Sequence, residues 1–136
     1  MLKIYYHFVF ATYKRRPVLV DPDVIEFLYR TFHAIAEEKG FEITACKILE
    51  EHVHCLIGFD SIHRPNYIIR IMKGASSREF FKTFQTNRFI YRKLWARGYY
   101  GEQISNDNLN SKIKYINDNI DETGFDKRYK VSGISK

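Results

Sequence analysis

Cysteine is scarce in this chain: Cys46 and Cys55 are the only two in 136 residues, too few for a disulfide framework. A reducing, cytoplasmic setting is therefore expected. Long apolar runs are missing too. No stretch approaches the roughly 20 residues that span a bilayer, and none reads as the apolar core of a signal peptide, so no membrane attachment is expected. Proline and glycine number only three and seven, and no Pro/Gly/Ser-rich linker, internal repeat or low-complexity tract divides the chain. One domain over residues 1–136 follows as the expectation, with 126–136 as a short basic tail. Neither G-x-x-x-x-G-K-[ST] nor G-x-G-x-x-G occurs, so the usual signatures of nucleotide-dependent chemistry are lacking.

Negative charge is outweighed. Lys plus Arg total 22 against 16 for Asp plus Glu, a formal charge of +6, and the isoelectric point is near 9.3. A compact basic chain suits a polyanion, because phosphate contacts are made mostly by Lys and Arg. Aromatic residues reach 16%, and rings interleaved with positive charge suit unstacked bases. The same figures also fit an ordinary charged surface, so composition alone leaves nucleic-acid binding open. At 45% hydrophobic and 28% charged residues, the chain can build a packed core.

Local patterns give an order of elements. Lys3–Tyr13 is dense in aromatic and β-branched residues and reads as a strand ended by Lys14-Arg15-Arg16-Pro17. Asp21-Pro22-Asp23 offers an N-cap, a proline at the first helical position and an acid in the first turn. Val24, Leu28, Phe32 and Ile35 then recur at helical spacing, and Gly40 stands where a C-terminal glycine belongs. Phe41–Leu49 and His52–Phe59 form a strand pair joined by Glu50-Glu51. Asn66 to Phe81 predicts a second helix through Ile68, Ile69, Met72 and Ala75. Tyr99–Ser105 supplies a fourth strand, and Leu109, Ile113, Ile116 and Ile120 mark a last helix. The order β-α-β-β-α-β-α predicts an α+β, ferredoxin-like split βαβ sandwich with an antiparallel sheet and an added C-terminal helix.

The sharpest chemical signal is His52-Val53-His54. Alternation along a strand puts both imidazoles on one face, with Cβ atoms roughly 6–7 Å apart. Two such rings can converge on one divalent cation, whereas two histidines serving ordinary hydrogen bonds are the plainer reading. A structural zinc site is disfavoured: Cys55 alternates to the opposite face from His54, and no C-x-x-C pair exists. His7 and His63 read as lone structural or surface histidines.

On the last helix, Tyr115 lies roughly 130° from the apolar stripe and shares a face with Asn108, Lys112 and Asn119. A tyrosine can act as a nucleophile and form a covalent intermediate. With a metal pair on a basic scaffold, attack on a DNA phosphodiester becomes a specific possibility. Such an intermediate keeps roughly the energy of the broken bond, so rejoining needs no ATP. Asn119, one turn on, is placed to offer a third, oxygen ligand.

Four stretches together resemble a known family. They are Tyr6–Arg16, Glu51–Ile57, Ile71–Ser77, and Trp95–Tyr100 followed by Tyr115–Asn119. In this order they are similar to the single-tyrosine transposases of the HUH nuclease superfamily, which move small insertion sequences as single-stranded DNA. The resemblance implies a ferredoxin-like fold, dependence on Mg²⁺ or Mn²⁺, and cleavage that leaves a 5′-phosphotyrosine and a free 3′-hydroxyl. It assigns Tyr115 as catalytic residue and His52 and His54 as metal ligands. The third ligand of the family is usually a glutamine one turn after the tyrosine. Here that position is Asn119, one methylene shorter, so direct ligation, a water-bridged contact and replacement by another ligand all stay open. The resemblance also implies homodimers on hairpin-marked single-stranded ends, with the tyrosine helix commonly acting in trans. An element with two ends needs two active sites at once, which independently suggests a symmetric pair.

Two basic groups are candidates for DNA contact: Lys14, Arg15 and Arg16 at the end of strand one, and Arg70, Lys73, Ser77 and Arg78 on the second helix. Two other readings remain open here. One is a non-catalytic ferredoxin-like nucleic-acid-binding module; the other is an HUH replication initiator or relaxase-type nickase.

Overall fold

The computed structural model describes residues 2–84 and 92–119. The proposed tail 126–136 and Ile120 lie outside the described residues. Strands β1 (Lys3–Ala11), β2 (Glu42–Ile48), β3 (His52–Asp60) and β4 (Tyr100–Ile104) alternate with helices α1 (Pro22–Lys39), α2 (Pro65–Thr83) and α3 (Leu109–Lys114). The sheet order is β2-β3-β1-β4, and every neighbouring pair is antiparallel. Strand β3 therefore lies between β1 and β2, and β1 between β3 and β4, as the predicted split βαβ sandwich requires.

Helix α1 forms where its end signals stand. Asp21 accepts a hydrogen bond from the Asp23 backbone N–H at 2.9 Å, and Gly40 closes the helix in the left-handed region at φ 81°. Its stripe Val24, Leu28, Phe32 and Ile35 is buried, as is Ile68, Ile69 and Met72 of α2. Both helices cover one face of the sheet, where Phe8, Phe10, Val53, Cys55, Ile57 and Phe59 complete the main core. Ala75, expected in the α2 stripe, sits at its margin, and Ser76 is buried instead. The reason is Trp95, whose indole N–H donates to the Ser76 hydroxyl at 2.9 Å while its ring packs edge-on against Phe10.

The opposite face carries a smaller cluster of Ala45, Leu49, Leu56, Ile104 and Ile116. A bulge between Ile43 and Ala45 builds this face. Ile43 pairs with Ile57 on the helix side, but Ala45 pairs with Leu56 on the other side, with Thr44 as the extra residue. Two element ends differ from the sequence expectation. Strand β1 stops at Ala11, and Tyr13–Arg15 form a 3₁₀ turn, because Lys14 and Arg15 adopt positive φ of 56° and 54°. The last helix is α-helical only to Lys114, and Tyr115–Asn119 continue as a π-helical turn.

Candidate active site

Strand alternation places His52, His54 and Leu56 on the sheet face that α3 and the π turn cover, because Leu56 belongs to the Ile116 cluster. Both histidines are fully buried, with ring centroids 5.0 Å apart. Each is held through Nδ1. His52 Nδ1 lies 3.3 Å from Glu51 Oε1, and His54 Nδ1 lies 3.0 Å from His7 Nε2. Nε2 of each ring is a buried nitrogen, and it is the one that can ligate a cation while Nδ1 is held by the protein. The pair therefore fits a divalent cation as two imidazole ligands. Among the described residues no group of three or more His, Cys, Asp or Glu side chains gathers to hold a metal, so further ligands would have to be of other kinds. The Asn119 backbone belongs to the π turn, but its side chain lies outside the described residues.

His7 corrects the sequence reading. It is no lone histidine: it is fully buried on β1, and its ring stacks on His54 at a centroid distance of 5.1 Å. His63, in contrast, is partly exposed and stacks on Tyr67.

Tyr115 opens the π turn, and the next residue, Ile116, is fully buried against the sheet. The phenol is half-buried and touches both apolar clusters, which is deeper than its position on an ideal helical wheel implies. Turns of this kind are frequent at functional positions. Lys112 Nζ sits 5.3 Å from the Tyr115 ring centroid and 3.5 Å from Glu102 Oε1. Glu102 pairs in register with His7 across β1 and β4. A cation, an acid and a phenol thus line one cleft, with Glu102 in register with His7. The sequence reading found Lys112 next to Tyr115 but missed Glu102.

The basic residues divide. Lys14 and Arg16 are exposed, whereas Arg15 pairs with Glu51 Oε2 at 3.2 Å. Glu51 thereby links the basic turn to His52. The positive φ at Lys14 and Arg15 is uncommon for non-glycine residues and marks a backbone held by its surroundings. Tyr13 joins the basic turn to the segment before β4: Lys14 and Lys93 both approach its ring, at 5.6 and 5.4 Å. A cleft of about 450 Å³ there is lined by Tyr13, Lys93, Ser77 and Lys73. A neighbouring cleft of about 480 Å³ takes in Arg70, Lys73 and Arg97. Arg92, Lys93 and Arg97 were not singled out from the sequence, although their charges were visible in it. Arg78 is exposed and lines neither cleft.

Lys73 carries a structural role that the sequence reading did not foresee. Its Nζ donates to the carbonyls of Ala96 and Gly98, both at 2.7 Å, so it ties α2 to the segment before β4. Burial draws the ammonium down to about 8. We expect Lys73→Met to cost about 1.5–3 kcal/mol of stability, the range for hydrogen bonds from a charged donor. Urea denaturation of both proteins measures this. An unchanged midpoint would return Lys73 to the role of a plain phosphate contact.

Comparison with known proteins agrees with this fold. Residues 1–119 match the family described as Transposase IS200 like. The ISDra2 transposase TnpA of Deinococcus radiodurans is 28% identical over 91 residues, which cover 67% of this chain and 62% of that protein. This chain thus aligns with less than two thirds of that relative. A crystal structure of a transposase from Deinococcus radiodurans superposes with a TM-score of 0.70 at 29% identity, covering 86% of this chain and 91% of that one. A REP-associated tyrosine transposase bound to a REP hairpin shares the fold, with a TM-score of 0.60 at 18% identity over 83% of this chain and 64% of that one. With the family match running from the first residue through the π turn that carries Tyr115, the chain belongs to the IS200-like transposase family.

Proposed function

We propose that the chain cleaves and rejoins single-stranded DNA at the ends of an insertion sequence, with Tyr115 as nucleophile and His52 and His54 as ligands of Mg²⁺ or Mn²⁺. The observation that carries this reading is the seating of the Tyr115 turn on the sheet face that bears both histidines. In the cleavage step the phenolic oxygen bonds to phosphorus and the bond from phosphorus to the 3′-oxygen breaks. The phenolic proton leaves, and the 3′-oxygen departs as a hydroxyl. A 5′-phosphotyrosine results, and attack by another 3′-hydroxyl reverses the step without ATP. Lys112 places positive charge over the Tyr115 ring during attack. A bound divalent cation would supply polarisation of the phosphate.

The basic surface from Lys14 past Tyr13 and Lys93 to Arg97 and Arg70 is the candidate track for the DNA backbone. A neighbour of the same fold is bound to a hairpin, which supports hairpin-marked ends as the substrate. Handling two ends favours a homodimer. Among the described residues no helix is long and apolar enough to cross a membrane, which accords with work on DNA.

The test incubates the protein with single-stranded oligonucleotides copied from the DNA flanking its gene. A covalent protein–DNA band that survives denaturing electrophoresis, formed with Mn²⁺ and lost with EDTA, is expected. Binding without any adduct would overturn the proposal in favour of a non-catalytic module.

A further inference from the structure

We infer that His7 is a positioning residue for the cation site: it fixes the tautomer and ring orientation of His54. The inference rests on the proposed role of His54 as a metal ligand. Its basis is the 3.0 Å contact between His7 Nε2 and His54 Nδ1, between two fully buried rings on adjacent strands. The register explains the meeting. Val9 pairs with His54 and Leu56 with His7, so the two histidines are diagonal neighbours on one face.

Proton placement then follows from chemistry. A histidine that ligates through Nε2 carries its proton on Nδ1. For His54 that Nδ1–H donates to His7 Nε2, and His7 must keep its own proton on Nδ1. The acid paired with His7 in the sheet register is Glu102, which also meets Lys112. Two imidazoles thus run from β1 to β3 towards the cation site. Glu51 engages Nδ1 of His52 in the corresponding way. Outer partners of this kind raise ligand basicity and hold the ring in place, and their loss typically lowers metal affinity roughly 10–100-fold.

The test uses the full chain and two variants. His7→Phe keeps the ring and removes the acceptor; His7→Gln keeps an acceptor near the position of Nε2. Long-range ¹H–¹⁵N correlation spectra of the metal-free protein should show His54 as the Nδ1–H tautomer in wild type and His7→Gln. In His7→Phe it should relax towards Nε2–H. Mn²⁺ affinity, read by titration calorimetry, should fall roughly 10–100-fold in His7→Phe and largely return in His7→Gln. A wild-type His54 in the Nε2–H form would overturn the inference without any variant. So would a His7→Phe protein with unchanged tautomer and Mn²⁺ affinity, while the metal reading stood. If wild type binds no Mn²⁺ at all, the metal role of the pair falls first and the positioning role with it.

Discussion

Tyr115→Phe should bind hairpin DNA as wild type does and form no covalent adduct. The change removes one oxygen and leaves the ring, its contact with Lys112 and its packing against both apolar clusters in place. Fold stability should therefore move by no more than about 1 kcal/mol, the scale of one net hydrogen bond. Denaturing gels score the adduct and a filter or shift assay scores binding. Two other tyrosines serve as internal controls. Tyr99 donates to Asn66 on α2, and burial, with Tyr6 nearby, raises its phenol above the ordinary value, so it is a poor nucleophile. Tyr100 is the more serious rival. It pairs with Val9, which pairs with His54, and so shares the histidine face. An adduct that persists in Tyr115→Phe and maps to Tyr100 would move the nucleophile from the π turn to β4.

The elements that could be read from sequence are those fixed by neighbours in the chain. Helix α1 carries its cap, its stripe and its closing glycine within twenty residues, and all three hold. The shared face of His52 and His54 needs only strand alternation, and it holds too. The features that escaped depend on distant pairing. His7 and His54 are 47 positions apart, and their contact exists only because β1 and β3 take one particular register. A single-residue slip would send one ring to the other face. Glu102 comes into register with His7 only once β4 lies beside β1.

Lys73 shows a different gap. On a helical wheel it is an exposed cation beside Arg70 and Ser77, but the Ala96–Gly98 segment folds over it and takes its ammonium as a brace. The π turn at Tyr115 is likewise invisible to a period of 3.6, which assumes an unbroken α-helix. The wheel placed the Tyr115 phenol at the wrong depth.

Mixing inactive His54→Ala and Tyr115→Phe subunits should restore no cleavage. The family resemblance implies a tyrosine helix that crosses to a partner, and a symmetric exchange would keep every buried contact, so burial alone does not decide. Ile116 contributes about 1.5–3 kcal/mol by its burial whichever subunit's sheet it packs on. The connection favours placement in one chain. Only residues 105–108 join β4 to α3, and they are folded into a turn closed by the Asn108 N–H on the Ser105 carbonyl at 3.0 Å. Fully drawn out, four residues reach about 13–14 Å, which is short for a crossing between domains, and the turn would be lost. On this ground we expect tyrosine and histidines to act within one chain. With heterodimers shown to form by mass spectrometry, a dimer of such chains has no complete site in the mixture. A crossed dimer has one, which combines the intact Tyr115 of one subunit with the intact His54 of the other. Recovery towards a quarter of wild-type sites at equal mixing, as random pairing of crossed subunits gives, would overturn the placement in one chain.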